Sequence, residues 1–459
     1  MSRLSLYAFI LILIPMRPVA GELKTVPQGY TLVWSDEFEG TFLNTSDWTY
    51  EVKDAGWVNN ELQYYVAGKY GGMQTLTVGD GTLKIICSKF RGRVISSRIY
   101  AHVGEGWLYG YFEARIRLPH GKGTWPAFWM VPVGVSNWPD CGEIDIMEEV
   151  GYDPNVINSS IHCHNYNHPM NTQKTVRRYF DDAEDDFHIY GCEWTPEWIK
   201  FSVDGIAIMV FYNEHRGNDA WPFDKPFFPI LNLAWGGDWG GLMGVDETAL
   251  PATMEVDYVR VYQHPAPETI SALAGIWVIG ADGSIGQPNY TSGNNWNPEH
   301  AIALLPVGSN VWSIDLTTGQ QLNAGWVNFK FFPQPDWGRE YCHHDGWGGI
   351  TSDSPLLMVG TGSDGYDNGN IHLPIGKTLD DNTTYRLSVN TTRGIQDAHL
   401  QFQILPDKQT AIQTTSWIAS SSDRIYTLGG RYVNAPARGV YIMSTTKDTR
   451  QKNIKVIIP

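Results

Sequence analysis

Basic charge is scarce in this chain. Thirty-three lysines and arginines stand against 49 aspartates and glutamates, a net charge of −16, which argues against nucleic acid and against an anionic membrane surface as partners. Long apolar runs are scarce too. Past residue 21 nothing approaches the roughly 20 residues of a membrane-spanning helix, so no membrane span is expected. Cysteine is sparse and odd in number: Cys87, Cys141, Cys163, Cys192 and Cys342 cannot all pair within the chain, and their wide spacing is not a disulfide framework. His162-Cys163-His164 and Cys342-His343-His344 lack a second ligand pair at zinc spacing, so ordinary packing is the better reading for them. There is no βαβ alternation, internal repeat or long low-complexity run.

What the chain has in quantity is aromatic residues and turn formers. Nineteen Trp, 23 Tyr and 17 Phe accompany 47 Gly and 26 Pro, with apolar runs short enough to read as many strands joined by turns. The fold class expected is all-β, and 459 residues suggest two or three domains. Abundant Trp with modest charge suits a neutral, polyhydroxylated ligand, because sugar C–H faces stack on aromatic rings while the hydroxyls take hydrogen bonds. The start, with Arg3, an apolar run from Leu4 to Met16 and then Ala20-Gly21, has the pattern of a secretory leader over residues 1–21. Export to the medium or the cell surface is therefore expected.

Between residues 25 and 263 strand patterns follow one another: Tyr30 to Trp34, Thr82 to Ile86, Tyr111 to Leu118, Phe187 to Val203 with Asp204-Gly205 as a turn, Phe228 to Trp235, and Met254 to Tyr262. Antiparallel strands without crossover helices imply a two-sheet, concanavalin-like jelly-roll sandwich. A linker at 264–270 leads to a smaller all-β sandwich over 271–405, and 406–459 reads as a short C-terminal β module. Trp57 to Tyr65 crowds amides and aromatics together, the usual kit for holding a sugar ring. Trp125 and Trp129, four apart on a strand, project to the same face.

The stretch that organises the rest is Cys141-Gly-Glu143-Ile-Asp145-Ile-Met147-Glu148-Glu149. On a regular strand Glu143, Asp145 and Glu149 share a face and Glu148 lies on the other; a β-bulge at Met147 instead returns Glu148 to the face of Glu143. Crowded acids raise one another's pKa, which is useful where one must hold a proton and another must not. Retaining glycoside hydrolysis needs such a pair, about 5 Å apart.

Glu143-Ile-Asp145-Ile-Met-Glu148, preceded by Trp125-Pro-Ala-Phe-Trp129-Met, resembles glycoside hydrolase family 16, most closely its laminarinase-like β-1,3-glucanases. The similarity spans Tyr30 to Gln263 and includes Trp34-Ser-Asp-Glu-Phe, Asn59-Asn-Glu-Leu-Gln-Tyr-Tyr, Ser97-Arg98-Ile, Ile230-Leu-Asn-Leu-Ala-Trp-Gly-Gly and Val256-Asp-Tyr-Val-Arg-Val-Tyr. The resemblance implies Glu143 as nucleophile, Glu148 as acid/base and Asp145 as their assistant, with Glu149 turned away. It implies sugar contacts from Asn60, Arg98, Trp125, Trp129, His162 and Trp235, a β-glucan polysaccharide as partner, and a monomer. No cofactor is implied for catalysis; a structural calcium is, with Glu37 and Asp257 as the expected ligands, although the two read equally well as a capping acid and a surface acid. Agar, carrageenan or xyloglucan are the rival substrates, and a non-catalytic β-glucan-recognition protein is the rival class, one that typically lacks these acids. The second domain resembles the β-sandwiches of outer-membrane starch-binding proteins, with Trp337 and Trp347 as a candidate sugar platform, although core packing reads equally well for the two. The C-terminal piece resembles type IX secretion sorting modules.

Overall fold

The computed structural model describes residues 25–134, 137–286 and 295–405, and beyond them the backbone of the strands Arg424–Thr427, Tyr432–Val433, Gly439–Lys447 and Arg450–Ile458. The leader pattern at 1–21 lies outside the described residues. The chain forms two compact units, Met1–Leu405 and Pro406–Pro459. The second contains a four-stranded antiparallel sheet made by the last strands.

Within the first unit two sandwiches follow one another. The first pairs a ten-stranded outer sheet with a seven-stranded sheet that floors a cleft. Across the cleft sheet the spatial order is Lys174–Tyr179, Val156–His162, Glu143–Glu148, Thr124–Pro132, Phe227–Trp235, Arg98–Ala101 and Trp48–Tyr50. Period-two patterning builds each layer. On Gly110–Arg117, Phe112, Ala114 and Ile116 are fully buried in the core between the sheets, while Glu113, Arg115 and Arg117 occupy the outer face. The Asp204-Gly205 signal makes a two-residue hairpin, with φ of 51° and 79°, as the right-handed twist of the flanking strands requires. All five cysteines are free and buried.

The second sandwich has sheets of five and six strands. It is not tethered by a free linker. Trp198, Val210 and Tyr212, on the outer sheet of the first sandwich, are part of its hydrophobic core together with Leu273, Ile276 and Phe331. Trp198 Nε1 donates to Ser271 O at 2.9 Å and the Tyr212 hydroxyl to Pro333 O at 2.7 Å. The segment 264–270 contains a 3₁₀ turn, Pro267–Thr269, leading directly into this packing. Its composition reads as a spacer because the rings that capture the second domain come from strands about 60 residues upstream.

Candidate active site

The acidic strand solves its facing problem with a bulge. Glu143, Asp145 and Glu148 stand opposite His162, Ser160 and Asn158, three successive alternate positions of the neighbouring strand. Six residues therefore occupy the length of five. On the other side Asp145 faces Trp129 and Met147 faces Phe128, leaving Ile146 without a partner. The irregularity thus spans Ile146 and Met147 rather than Met147 alone. Both side chains go into the core, at 2% and 0% exposure, beside Ile144. The ladder carbonyl that the bulge disturbs is not left bare, since the buried Ser159 hydroxyl donates to Ile146 O at 2.7 Å. Beyond the bulge Glu149 turns away from the cleft, is fully buried, and accepts from Asn155 N at 2.7 Å.

The three cleft carboxyls lie in a trough of about 1320 Å³. Trp138 Nε1 donates to Glu143 at 3.2 Å and Trp125 Nε1 donates to Glu148 at 2.9 Å. His162 Nε2 approaches Asp145 at 3.2 Å without the alignment of a hydrogen bond. Burial and the neighbouring Asp145 push Glu143 up to about 8, against the pull of His162 and Arg98. Burial and Asp145 likewise push Glu148 up to about 8, despite its indole donor. Burial also holds Asp145 well above the carboxylate range. Like charges crowded on one floor, with Asp145 buried between two half-buried neighbours, resist ionising together, which favours sharing protons across the trio. Such a group can give a proton from one carboxyl while another carries charge.

Aromatic side chains wall the trough. Trp125 and Trp129 both line it, with Ala127 between them opposite Glu148, so the smallest side chain of that row leaves space at the carboxyl. Trp129 Nε1 donates to Asn232 Oδ1 at 2.7 Å, and the Arg98 guanidinium lies 4.6 Å above the Trp129 ring. Arg98 is itself ion-paired with Glu51 at 2.6 Å. His162 lines the trough next to Trp138 and His168.

Four expectations need correction. Trp235 is fully buried in the core and does not line the trough. On Phe227–Trp235 the residues facing the trough are Phe228, Ile230 and Asn232, so parity sends Trp235 to the opposite side with Leu231 and Leu233. Asn60 gives its amide to both oxygens of Asp238, at 2.9 and 3.1 Å, and its neighbour Asn59 lines the trough instead. Glu37 and Asp257 do not make a ready calcium site. Glu37 is engaged bidentately by Arg260 at 3.0 Å and Asp257 by Arg115 at 2.8 Å, and carboxylates neutralised in this way are poor donors for a dication. Among the described residues the one group of three acid or imidazole side chains with ligating atoms within 4.8 Å is Glu143, Asp145 and His162, inside the trough. Finally, Trp347 is half-buried, packs edge-on against buried Tyr341 at 5.4 Å and leans on the core of its sandwich rather than forming a platform with Trp337.

Sequence reasoning missed Trp138, Glu51 and Trp239. Trp138 carried a signal, five residues ahead of Glu143 beside Pro139. Glu51 and Trp239 carried none: Glu51 follows the end of the strand Trp48–Tyr50, and Trp239 sits on the short helical turn Gly237–Gly240.

A two-sheet sandwich with a bulged, carboxyl-bearing strand flooring an aromatic trough defines a polysaccharide-cleaving type of site. The model of glycosyl hydrolases family 16 matches residues 65–260. A β-glucanase from Rhodothermus marinus is 44% identical over 247 residues, covering 51% of this chain and 85% of that protein. A glucan endo-1,3-β-glucosidase from Cryptopygus antarcticus is 34% identical, covering 50% of this chain and 91% of that one. Among solved structures, SCLam, a non-specific endo-β-1,3(4)-glucanase of family 16, superposes with a TM-score of 0.50 at 44% identity, covering 53% of this chain and 94% of its own. The chain belongs to glycoside hydrolase family 16.

Proposed function

We propose that the chain is an endo-acting, retaining β-glucanase that hydrolyses β-1,3-glucan and mixed β-1,3/1,4-glucan. The observation that carries this reading is the trio Glu143, Asp145 and Glu148 on one face of the bulged strand, with indole donors on two of the three and aromatic walls on either side. Glu143 attacks the anomeric carbon to form a glycosyl-enzyme, and Glu148 protonates the leaving oxygen and then activates water. Asp145, between them and in contact with His162, keeps the proton distribution asymmetric. The trough exceeds the roughly 300–1,000 Å³ of small-ligand pockets, as an internal stretch of polymer requires. The likeness to the Rhodothermus marinus β-glucanase supports the substrate class.

The leader pattern over residues 1–21 supports secretion, and we extend the proposal to an exported enzyme acting on polymer outside the cell. The test of substrate is a product profile on laminarin, lichenan and agarose. Internal cleavage of laminarin and lichenan with retained anomeric configuration is expected. Cleavage of agarose alone would replace the substrate, and products of inverted configuration would overturn the mechanism.

A further inference from the structure

The second sandwich carries an aromatic surface used neither by the trough nor by a core. Trp337 is 46% exposed, on a domain that buries Trp277 and Trp312 to 5%. Its backbone is nevertheless pinned. The Trp337 main-chain N–H donates to Asp336 Oδ1 at 2.7 Å and its main-chain carbonyl accepts from Gln334 Nε2 at 2.5 Å, while the ring meets the buried Phe332 edge to face with centroids 5.6 Å apart. Trp296 lies against it with ring centroids 6.3 Å apart and planes 29° apart. Trp296 is fixed in turn by its N–H to Gly280 O at 2.8 Å, with φ of 52°. A bulky residue seldom adopts that left-handed conformation, and strain retained at a half-buried Trp packed against an exposed one points to use.

The surroundings place this pair beside the cleft sheet. Pro335, two residues before Trp337, accepts through its carbonyl from Arg178 Nη2 at 3.5 Å. Arg178 belongs to Lys174–Tyr179, the edge strand of the cleft sheet, whose Thr175 and Arg177 line the trough. Tyr212 holds the same loop from the outer sheet, through Pro333 O and through the Arg339 guanidinium 4.8 Å from its ring.

We propose that Trp296 and Trp337 form a second β-glucan-binding site, fixed next to the edge of the cleft sheet, which retains polymer while the trough cuts it. The identity of the ligand rests on the β-glucanase reading above. Preorganised indole faces suit the C–H face of a pyranose. Two rings cover far less than the roughly 800 Å² per partner of a stable protein interface.

The experiment uses the full chain carrying Glu143→Gln, which blocks hydrolysis, in native gels containing laminarin or soluble starch. Adding Trp337→Ala or Trp296→Ala should weaken retardation by laminarin about three- to ten-fold in apparent Kd, and Trp337→Phe should restore most of it. An unchanged melting curve separates lost binding from lost folding, and the phenylalanine variant decides the matter if the alanine variant fails to fold. Retardation undiminished in both alanine variants, or diminished in starch alone, overturns the site. Failure of the wild-type chain to hydrolyse laminarin would instead strike the β-glucanase reading.

Discussion

The two sheets of the first sandwich each carry a row of acids, and they treat them in opposite ways. On the outer sheet every acid of the row has a cation: Glu193 has Lys200 at 2.7 Å, Glu255 has Lys84 at 3.4 Å together with Arg117, Asp257 has Arg115, and Glu37 has Arg260, which also lies 3.9 Å from Glu113. In the trough, Glu143 and Glu148 receive indole N–H groups, Asp145 has His162, and the nearby Arg98 is engaged by Glu51. Acids of the first kind hold strands together; acids of the second kind are left to share protons. The family's chemistry needs the second arrangement, since a carboxyl neutralised by arginine is a poor proton donor.

The sharpest way to break the comparison is to remove one carboxyl from each row. Glu143→Gln and Glu148→Gln should each lower kcat on laminarin by about 10³-fold or more, with no fall in melting temperature. Glu37→Gln on the outer sheet should leave kcat within about two-fold. Azide added to Glu148→Ala should rescue cleavage of an activated substrate, since it attacks the glycosyl-enzyme in place of water, needs no general base, and leaves as the glycosyl azide with Glu143 released as carboxylate. Rescue in Glu149→Ala and none in Glu148→Ala would transfer the role to the acid the structure turns away.

A smaller effect, on stability, should differ in sign between the rows. Glu148 titrates near 8 in the folded chain, above its ordinary 4.5. Its contribution is therefore full below pH 4.5 and is lost as pH rises towards 8, so Glu148→Gln should raise the melting temperature by about 2–4 °C at pH 9 and by little at pH 4. Glu255 behaves oppositely. Burial works against its charge, but Thr82, Lys84 and Arg117 outweigh it and hold the carboxyl below 4.5. That contribution is present above pH 4.5 and is lost as pH falls through the lowered value, so Glu255→Gln should cost about 1.5 kcal/mol at pH 7 and progressively less in acid. Melting curves of both variants from pH 3 to 9 check the pair. Parallel shifts would remove the distinction between the rows.

Much of this contrast was legible in the chain. Glu113, Arg115 and Arg117 alternate on one strand, while the stretch from Glu143 to Glu149 has four acids and no base. The bulge was legible only as a choice, because period-two patterning is satisfied on either side of a one-residue slip and only packing decides which. The adjacent apolar pair Ile146-Met147 was its local mark. Trp235 was misplaced by parity, standing an odd number of residues from the trough-facing Asn232 on one strand, whereas Asn60 sits with Asn59 in a left-handed turn whose side-chain directions no strand period predicts. The capture of the second sandwich by Trp198, Val210 and Tyr212 left no local trace, since buried strand residues look alike whichever core they enter.

The finest test of the contrast lies in the bulge, which sets Glu148 on the face of Glu143. Ser159 is fully buried between the sheets, and its hydroxyl reaches the Ile146 carbonyl at 2.7 Å, where the register is broken. Ser159→Ala removes that donor without adding volume, leaving a buried carbonyl short of a partner. A cost of about 1 kcal/mol is expected, a shift of a few degrees in melting temperature. If the hydroxyl only satisfies a carbonyl, the loss ends there and kcat is unchanged. If it also fixes the bulge, the Glu148 carboxyl loses its position relative to Glu143, and kcat should fall about three- to ten-fold with KM steady, since a small misplacement of a proton donor is felt in the chemical step rather than in binding. Threonine at the same position restores the donor, so recovery of kcat in Ser159→Thr assigns the effect to the hydrogen bond, whereas loss in both variants assigns it to packing at a site that tolerates no change.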